Sequence, residues 1–380
     1  MKTCLALVLA ATGCVPSDAT CDVDSVAAWS LLPASDAPRA QKSFAQAWTG
    51  SELLVWGGET APSGGEWDAA IATGARFDPD TSRWTPMSTV DAPAGRRNVA
   101  SVWTGSEMIV WGGENASGDL ATGARYNPVL DRWTLMSNVG APDRRSDGLA
   151  VWTGTEMLVV GGWLDWRYSL QIDDGALYNP TTDTWRPIAR ANPPGDDLVR
   201  SAADASATWT GREVVLWGSH FRSAGQEGYD AGWAYDPATD VWRMMSTTGE
   251  PGMRSPEVMA TLPDGKVLVW GSDELYRTHS DGGVYDPVTD TWRLLPPVNI
   301  GDNRSALFTG DRVIVAPDSN VAGSSGFVVD PFTGATSPLP ALAKRDLWWP
   351  LAWTGSEAIV WLQSAEPRSG QLGGSLKLCQ

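Results

Sequence analysis

Trp48-Thr49-Gly50-Ser51-Glu52 runs into Leu53-Leu54-Val55-Trp56-Gly57-Gly58, and Gly74-Ala75-Arg76-Phe77-Asp78-Pro79 follows and leads to Trp84. Both strings come back. The first recurs as Trp103-Thr104-Gly105 into Met108-Ile109-Val110-Trp111-Gly112-Gly113, then at Trp152, Trp209 and Trp353. Weaker copies are Leu262-Pro263-Asp264-Gly265 and Phe308-Thr309-Gly310. The second string recurs as Tyr126-Asn127-Pro128 to Trp133, Tyr178-Asn179-Pro180 to Trp185, Tyr235-Asp236-Pro237 to Trp242, and Tyr285-Asp286-Pro287 to Trp292. A repeated unit of this kind is one supersecondary element, stable only when stacked on its neighbours.

Each unit reads as four short strands. The first ends at the Trp before Thr-Gly, where glycine permits the tight turn. The second is an almost continuous apolar run, as expected where both faces are covered. The glycine pair then breaks the strand. The third strand carries the Tyr or Phe, Asp/Asn-Pro starts a turn, and the fourth carries the last Trp. Four strands in about 50 residues, repeated, predict a β-propeller.

The glycine pair after an apolar strand, followed by Tyr-Asp-Pro-x-Thr-x-x-Trp, resembles the kelch repeat. The resemblance implies an all-β, seven-bladed propeller of four-stranded kelch-like blades. Departures grow toward the C-terminus: the pair becomes Gly218-Ser219 and Gly271-Ser272, then Ala316-Pro317, and Thr336 stands where the last Trp should be. The seventh copy, from Trp349 to Trp361, has one further candidate strand at 375–379, so its fourth strand is missing. Ala28-Trp29-Ser30-Leu31-Leu32-Pro33 reads as an orphan fourth strand. The simplest closure joins the two ends and leaves no open edge to aggregate. The residues after Cys21 then divide into about 51 per blade, close to the kelch period.

Composition excludes several classes. The 380 residues include 40 Gly, 26 Pro and 42% apolar residues, and the net charge is −17. That is a folded chain, and its 28 bases against 45 acids argue against nucleic-acid binding. Two His among 380 residues make a multi-His metal site untenable, and no cofactor is expected. Sixteen of the 22 Trp fall at three recurring positions: five before Thr-Gly, five ending second strands and six in fourth strands. Those are scaffold, and most should be buried between blades.

Residues 1–13 read as a signal peptide, with Lys2 ahead of the apolar run Cys4 to Ala10. Ala11-Thr12-Gly13-Cys14 resembles a bacterial lipobox, with Ala11 where Leu is usual; the resemblance implies lipid on Cys14. An ordinary secretory cleavage a few residues later is the other reading, and both export the protein. Residues 14–26 would be a tether and 27–380 a single propeller, held to the membrane only through Cys14, in the bacterial cell envelope. Cys21 and Cys379 remain at the two ends of the mature chain. Ring closure would let them form a disulfide staple in an oxidising compartment.

Strand alternation puts the Thr-Gly-Ser and Asp-Pro turns on one uniform face. The loops between second and third strands, and between blades, lie on the other. Variable loops on one face are where repeat proteins bind. A tether from Cys14 would point the uniform face at the membrane and the variable face outward. The outward loops carry Trp67, Trp163, Trp166, Tyr168, His220, Phe221, Tyr276 and His279, residue types that protein and sugar sites use. Packing under their own loops is the alternative for each. Arg97, Arg145 and Arg254 belong to a set of arginines ahead of first strands. They read either as a cationic mouth for an anionic ligand or as bridges between blades.

The expectation is a monomeric binding or scaffold module for a protein or carbohydrate ligand. The alternative is a kelch-type enzyme. Copper oxidases built on such propellers use two His, two Tyr and a Cys joined to a Tyr, and His220, His279, Tyr229 and Tyr276 offer only part of that set. A sugar isomerase is the other enzyme class, but no acid–base set stands out from the scaffold. Ser-x-Asp-x-Gly-x-Thr-Trp boxes of sialidases do not occur.

Overall fold

The computed structural model describes residues 30–38, 43–59, 70–164, 170–172, 174–190, 205–220, 229–252, 254–273, 279–299, 306–315, 326–339, 346–364 and 374–377. Among these the only regular elements are β-strands. The first strands of successive sheets touch in a closed cycle. Ala45–Trp48 meets Ala100–Trp103, then Leu149–Trp152, Ala205–Trp209, Arg254–Thr261, Ala306–Phe308 and Asp346–Trp353, which returns to Ala45–Trp48. This is a propeller, with sheets radiating from a central ring of strands.

Six sheets are four-stranded. Blade one spans 45–86, blade two 100–135, blade three 149–187 and blade four 205–244. A short-stranded blade spans 306–338, and a closing blade spans 346–377. The expectation of seven four-stranded blades needs correcting here. The sheet at 254–294 gains a fifth strand, Val298–Asn299, which pairs with His279 and Ser280. In the closing blade Ser30 lies opposite Ser375 and Leu31 opposite Gly374, so the N-terminal strand supplies the outer edge.

The glycine pairs break strands only where both glycines are kept. Gly57-Gly58, Gly112-Gly113 and Gly161-Gly162 all have positive φ, from 63 to 96°, a region closed to most residues. A Cβ on Gly57 would lie 2.9 Å from the Arg96 carbonyl oxygen, and one on Gly112 2.8 Å from that of Arg145. The bare backbone lets the following linker dock, and Gly58 and Gly113 donate to those two oxygens at 2.8 Å. With Ser in second place, neither Gly218 nor Gly271 has positive φ. The strands Val214–His220 and Val267–Asp273 run straight through them. The predicted strand break therefore fails in those two sheets.

The core is a set of apolar slabs, one between each pair of neighbours. Between blades one and two lie Leu54, Trp56, Met87, Met108, Val110, Tyr126 and Trp133. Leu32 joins Leu53, Phe77 and Ile359 between blade one and the closing blade. Six tryptophans sit among the largest fully buried side chains: Trp56, Trp84, Trp111, Trp133, Trp217 and Trp270. Ring pairs cross the junctions, with centroids 5.1 Å apart for Trp56–Trp133 and 4.7 Å for Trp217–Trp292.

A polar clasp stitches the uniform face. Tyr126 donates to Asp131 at 2.6 Å, and Asp131 accepts Ser88 N–H of the preceding blade at 2.9 Å. Trp133 Nε1 donates to the Ser88 carbonyl at 2.9 Å. The pattern repeats as Tyr178–Asp183–Trp185, Tyr235–Asp240–Trp242 and Tyr285–Asp290–Trp292. Each Asp has φ near +50°, which Asp tolerates better than most residues. Arg76, Arg125 and Arg186 add bonds to the next blade's Pro128, Pro180 and Pro237 carbonyls at 2.6, 2.7 and 3.0 Å.

Candidate functional site

The outward face begins with the linkers that carry the arginines. Arg96 is 1% exposed. Its Nη1 donates to the carbonyls of Gly112 at 3.0 Å and Thr122 at 2.5 Å. Burial pushes its guanidinium down to about 10, which still leaves it charged at neutral pH. Arg145 repeats this in blade three. It is 1% exposed, bonds the Gly161 and Asp174 carbonyls at 3.0 Å, pairs with the Asp174 carboxylate, and stacks over Trp111. Arg145 has no surface left for a ligand, so the blade-bridging reading holds for it and the cationic-mouth reading does not.

Arg97 is a cross-brace. Its Nη1 lies 2.6 Å from Glu59 of blade one, and its Nε 3.1 Å from Glu114 of blade two. Burial works against the charge, but the two carboxylates outweigh it and raise the guanidinium pKa. Backbone bonds lock the brace: Arg97 and Glu114 exchange N–H to carbonyl bonds at 3.0 and 2.9 Å. Beside it Ser43, Asn98 and Asp147 all have positive φ. Asn98 N–H donates to Ser43, and Asp147 N–H to Asn98, both at 3.0 Å. This backbone chain runs from linker to linker just ahead of the first strands.

The same scaffold position changes character in blade three. Glu59 and Glu114 follow the glycine pairs of blades one and two, and Trp163 follows that of blade three. Trp163 exchanges backbone bonds with Ser146 at 2.8 and 3.0 Å, as Glu114 does with Arg97. Ser146 has no charge to clamp, and the Trp163 side chain is half-buried at the rim. Trp163–Leu164 then pairs with Leu170–Gln171 as a small hairpin on this face, and Glu114–Asn115 pairs with Gly118–Asp119. The second-to-third loops of blades two and three are thus built projections.

The remaining predicted residues divide by position. Trp67, Trp166, Tyr168, Phe221 and Tyr276 lie outside the described residues, as do Cys14, Cys21 and Cys379. His220 ends a strand, His279 starts one and Arg254 starts another, at the outward ends of their sheets. Among the described residues no group of three or more His, Cys, Asp or Glu side chains could hold a metal ion.

Residues 19–196, which take in blades one to three, match the KLHDC2/KLHL20/DRC7 Kelch-repeats domain. The match and the blades together support a kelch-repeat propeller. No curated protein matches the chain. The kelch features fall into place on this reading: glycine pairs receive linkers, and Tyr, Asp and Trp clasp neighbouring blades.

Sequence reasoning missed one feature. A cleft of about 560 Å³ opens on the uniform face, between the five-stranded sheet and the short-stranded blade, lined by Leu262, Lys266, Arg293 and Phe332 among others. The signal was present in the weak copies at Leu262-Pro263-Asp264-Gly265 and at Thr336.

Proposed function

We propose that this kelch propeller is an exported protein-binding scaffold that engages its partner through the outward loop face. Lipid on Cys14 would anchor it in the bacterial envelope. The observation that carries the reading is Trp163. At that repeat position blades one and two spend their side chains on bracing Arg97. Blade three instead places a half-buried indole there, fixed by two backbone bonds to Ser146. A rigid aromatic beside projecting hairpins is what a binding hot spot uses. Trp67, Trp166, Tyr168, His220, Phe221, Tyr276, His279 and Arg254, assigned to this face from the sequence, would extend the binding surface. The kelch match supports a protein partner before a carbohydrate one.

A crosslinking pull-down from an envelope fraction, run beside a glycan array, tests this. Loss of a specific crosslinked protein on Trp163→Ala supports the reading. Glycan binding lost on the same change, with no protein lost, would replace it by the carbohydrate reading. Anchoring is tested by metabolic labelling with an alkyne-tagged fatty acid: label absent from Cys14→Ser and present in wild type is expected, and unlabelled wild type contradicts it.

The register of the closing blade also supports a Cys21–Cys379 staple. Ser30, nine residues after Cys21 in the sequence, lies opposite Ser375, four residues before Cys379. Alkylation of the unreduced mature protein should leave both thiols unmodified; two modified cysteines would contradict the staple.

A further inference from the structure

The junction beside the cleft on the uniform face has lost every part of its clasp. In blades two to four and the five-stranded sheet, a Tyr stands opposite the fourth-strand Trp: Tyr126–Trp133, Tyr178–Trp185, Tyr235–Trp242 and Tyr285–Trp292. In the short-stranded blade that pair is Val329 opposite Thr336. Its left-handed turn residue is Gly334, φ +77°, where the others have Asp131, Asp183, Asp240 and Asp290. Tyrosine ring, indole and carboxylate are therefore all absent from the same place.

The facing sheet is altered to match. In blades one to four an arginine pairs with the glutamate that precedes the second strand: Arg76–Glu52 at 3.5 Å, Arg125–Glu107 at 3.3 Å, Arg186–Glu156 at 2.8 Å, and Arg243–Glu213. In the five-stranded sheet Arg293 holds the position of Arg186 and Arg243, opposite Val284. Lys266 holds the position of the glutamate, with its carbonyl accepting the turn bond as Glu213 does. Two cations now line a cleft where the repeat has an ion pair.

The acids around the cleft are already engaged. Asp264 pairs with Lys266 at 2.6 Å. Asp286 accepts the N–H groups of Val288 and Thr289 at 2.9 and 3.3 Å. Asp311 faces Arg312 at 3.3 Å. Arg293 is exposed and has no hydrogen-bond or ion-pair partner among the described residues. Its counterparts each have a carboxylate and a proline carbonyl. Leu262, Val284 and Phe332 supply an apolar floor.

We propose that this cleft binds a small aromatic carboxylate, whose anion pairs with Arg293 and whose ring lies against Leu262, Val284 and Phe332. The volume of about 560 Å³ lies within the range of small-molecule sites, about 300–1,000 Å³. A guanidinium fork suits a planar carboxylate in bidentate geometry. The site is on the opposite face from Trp163, so it is separate from the proposed protein-binding surface.

The test is an NMR titration of the full chain with 3-phenylpropionate, 3-phenylpropanamide and phenethylamine. Saturable binding of the carboxylate is expected, with the amide and the amine weaker by about tenfold or more, the usual scale of a charged hydrogen bond. Arg293→Gln should weaken the carboxylate by a similar factor and leave melting unchanged. A second variant, Lys266→Glu, restores the acid that blades one to four place there and should weaken the carboxylate by engaging Arg293. Equal binding of the amine, an unchanged affinity in Arg293→Gln, or no saturation by wild type up to about 10 mM would overturn the proposal.

Discussion

Tyr126 donates its hydroxyl hydrogen to Asp131 Oδ1 across 2.6 Å, and the same carboxylate oxygen receives Ser88 N–H from the neighbouring blade. One carboxylate thus ties a third strand, its own turn and the preceding blade. Burial raises the Tyr126 phenol, and the bond to Asp131 raises it further. Burial alone would raise Asp131, but the bonds from Tyr126 and Ser88 hold it below its ordinary value. Tyr178, Tyr235 and Tyr285 are raised for the same two reasons, and Asp290 is lowered by Tyr285 and Ser246.

These shifts set both pH limits. A phenol raised in the fold stabilises it fully below its unfolded pKa of about 10, and that contribution is lost as pH rises beyond it. A lowered carboxylate stabilises the fold above its ordinary pKa, and the contribution is lost as pH falls below about 4. Thermal melts should therefore show a plateau between those limits and a fall on each side. Tyr126→Phe should cost about 1 kcal/mol at neutral pH and soften the alkaline fall. An alkaline profile unchanged in that variant counts against the clasp.

Arg97→Met leaves Glu59 and Glu114 facing each other without their cation. Their side chains are 5% and 9% exposed, so the loss should be about 3 kcal/mol in denaturant titrations. Arg312→Met removes an exposed pair with Asp311 and should cost about 0.5 kcal/mol. Equal effects of the two would show that Arg97 is not a brace.

Leu32 follows the N-terminal strand and packs between Leu53 of blade one and Ile359 of the closing blade. Leu32→Ala should cost about 3 kcal/mol. The variant should also unfold at lower denaturant with an unchanged slope, since the buried area lost is local. A cost below about 1 kcal/mol would mean that the N-terminal strand does not seal the ring.

Much of this was legible in the sequence because each repeat writes the same physics several times over. Gly57-Gly58 and Gly112-Gly113 mark positive φ and close backbone approach. Tyr126 with Asp131 and Trp133 marks a clasp. The departures were visible too, but not their consequences. Phe77 loses a hydroxyl and Ser82 the carboxylate together, as do Val329 and Gly334. That pairing acquires meaning only once the two residues are known to touch in the other blades. Arg96 and Arg145 stand seven residues before a first-strand Trp and are sealed in, whereas Arg97, one residue later in the repeat, braces two carboxylates. The fifth strand, Val298–Asn299, carries no repeat signal, because it arises from an outer-edge contact specific to one sheet.

Binding of a protein partner by the outward face is proposed to run through Trp163. Once crosslinking has supplied that partner, the direct measurement is its Kd for wild type and for Trp163→Ala, with melting temperature read on the same samples. A hot-spot aromatic costs about 2 kcal/mol or more on truncation, so affinity should be at least about thirtyfold weaker with melting unchanged. Equal affinity in a variant that melts like wild type would contradict it.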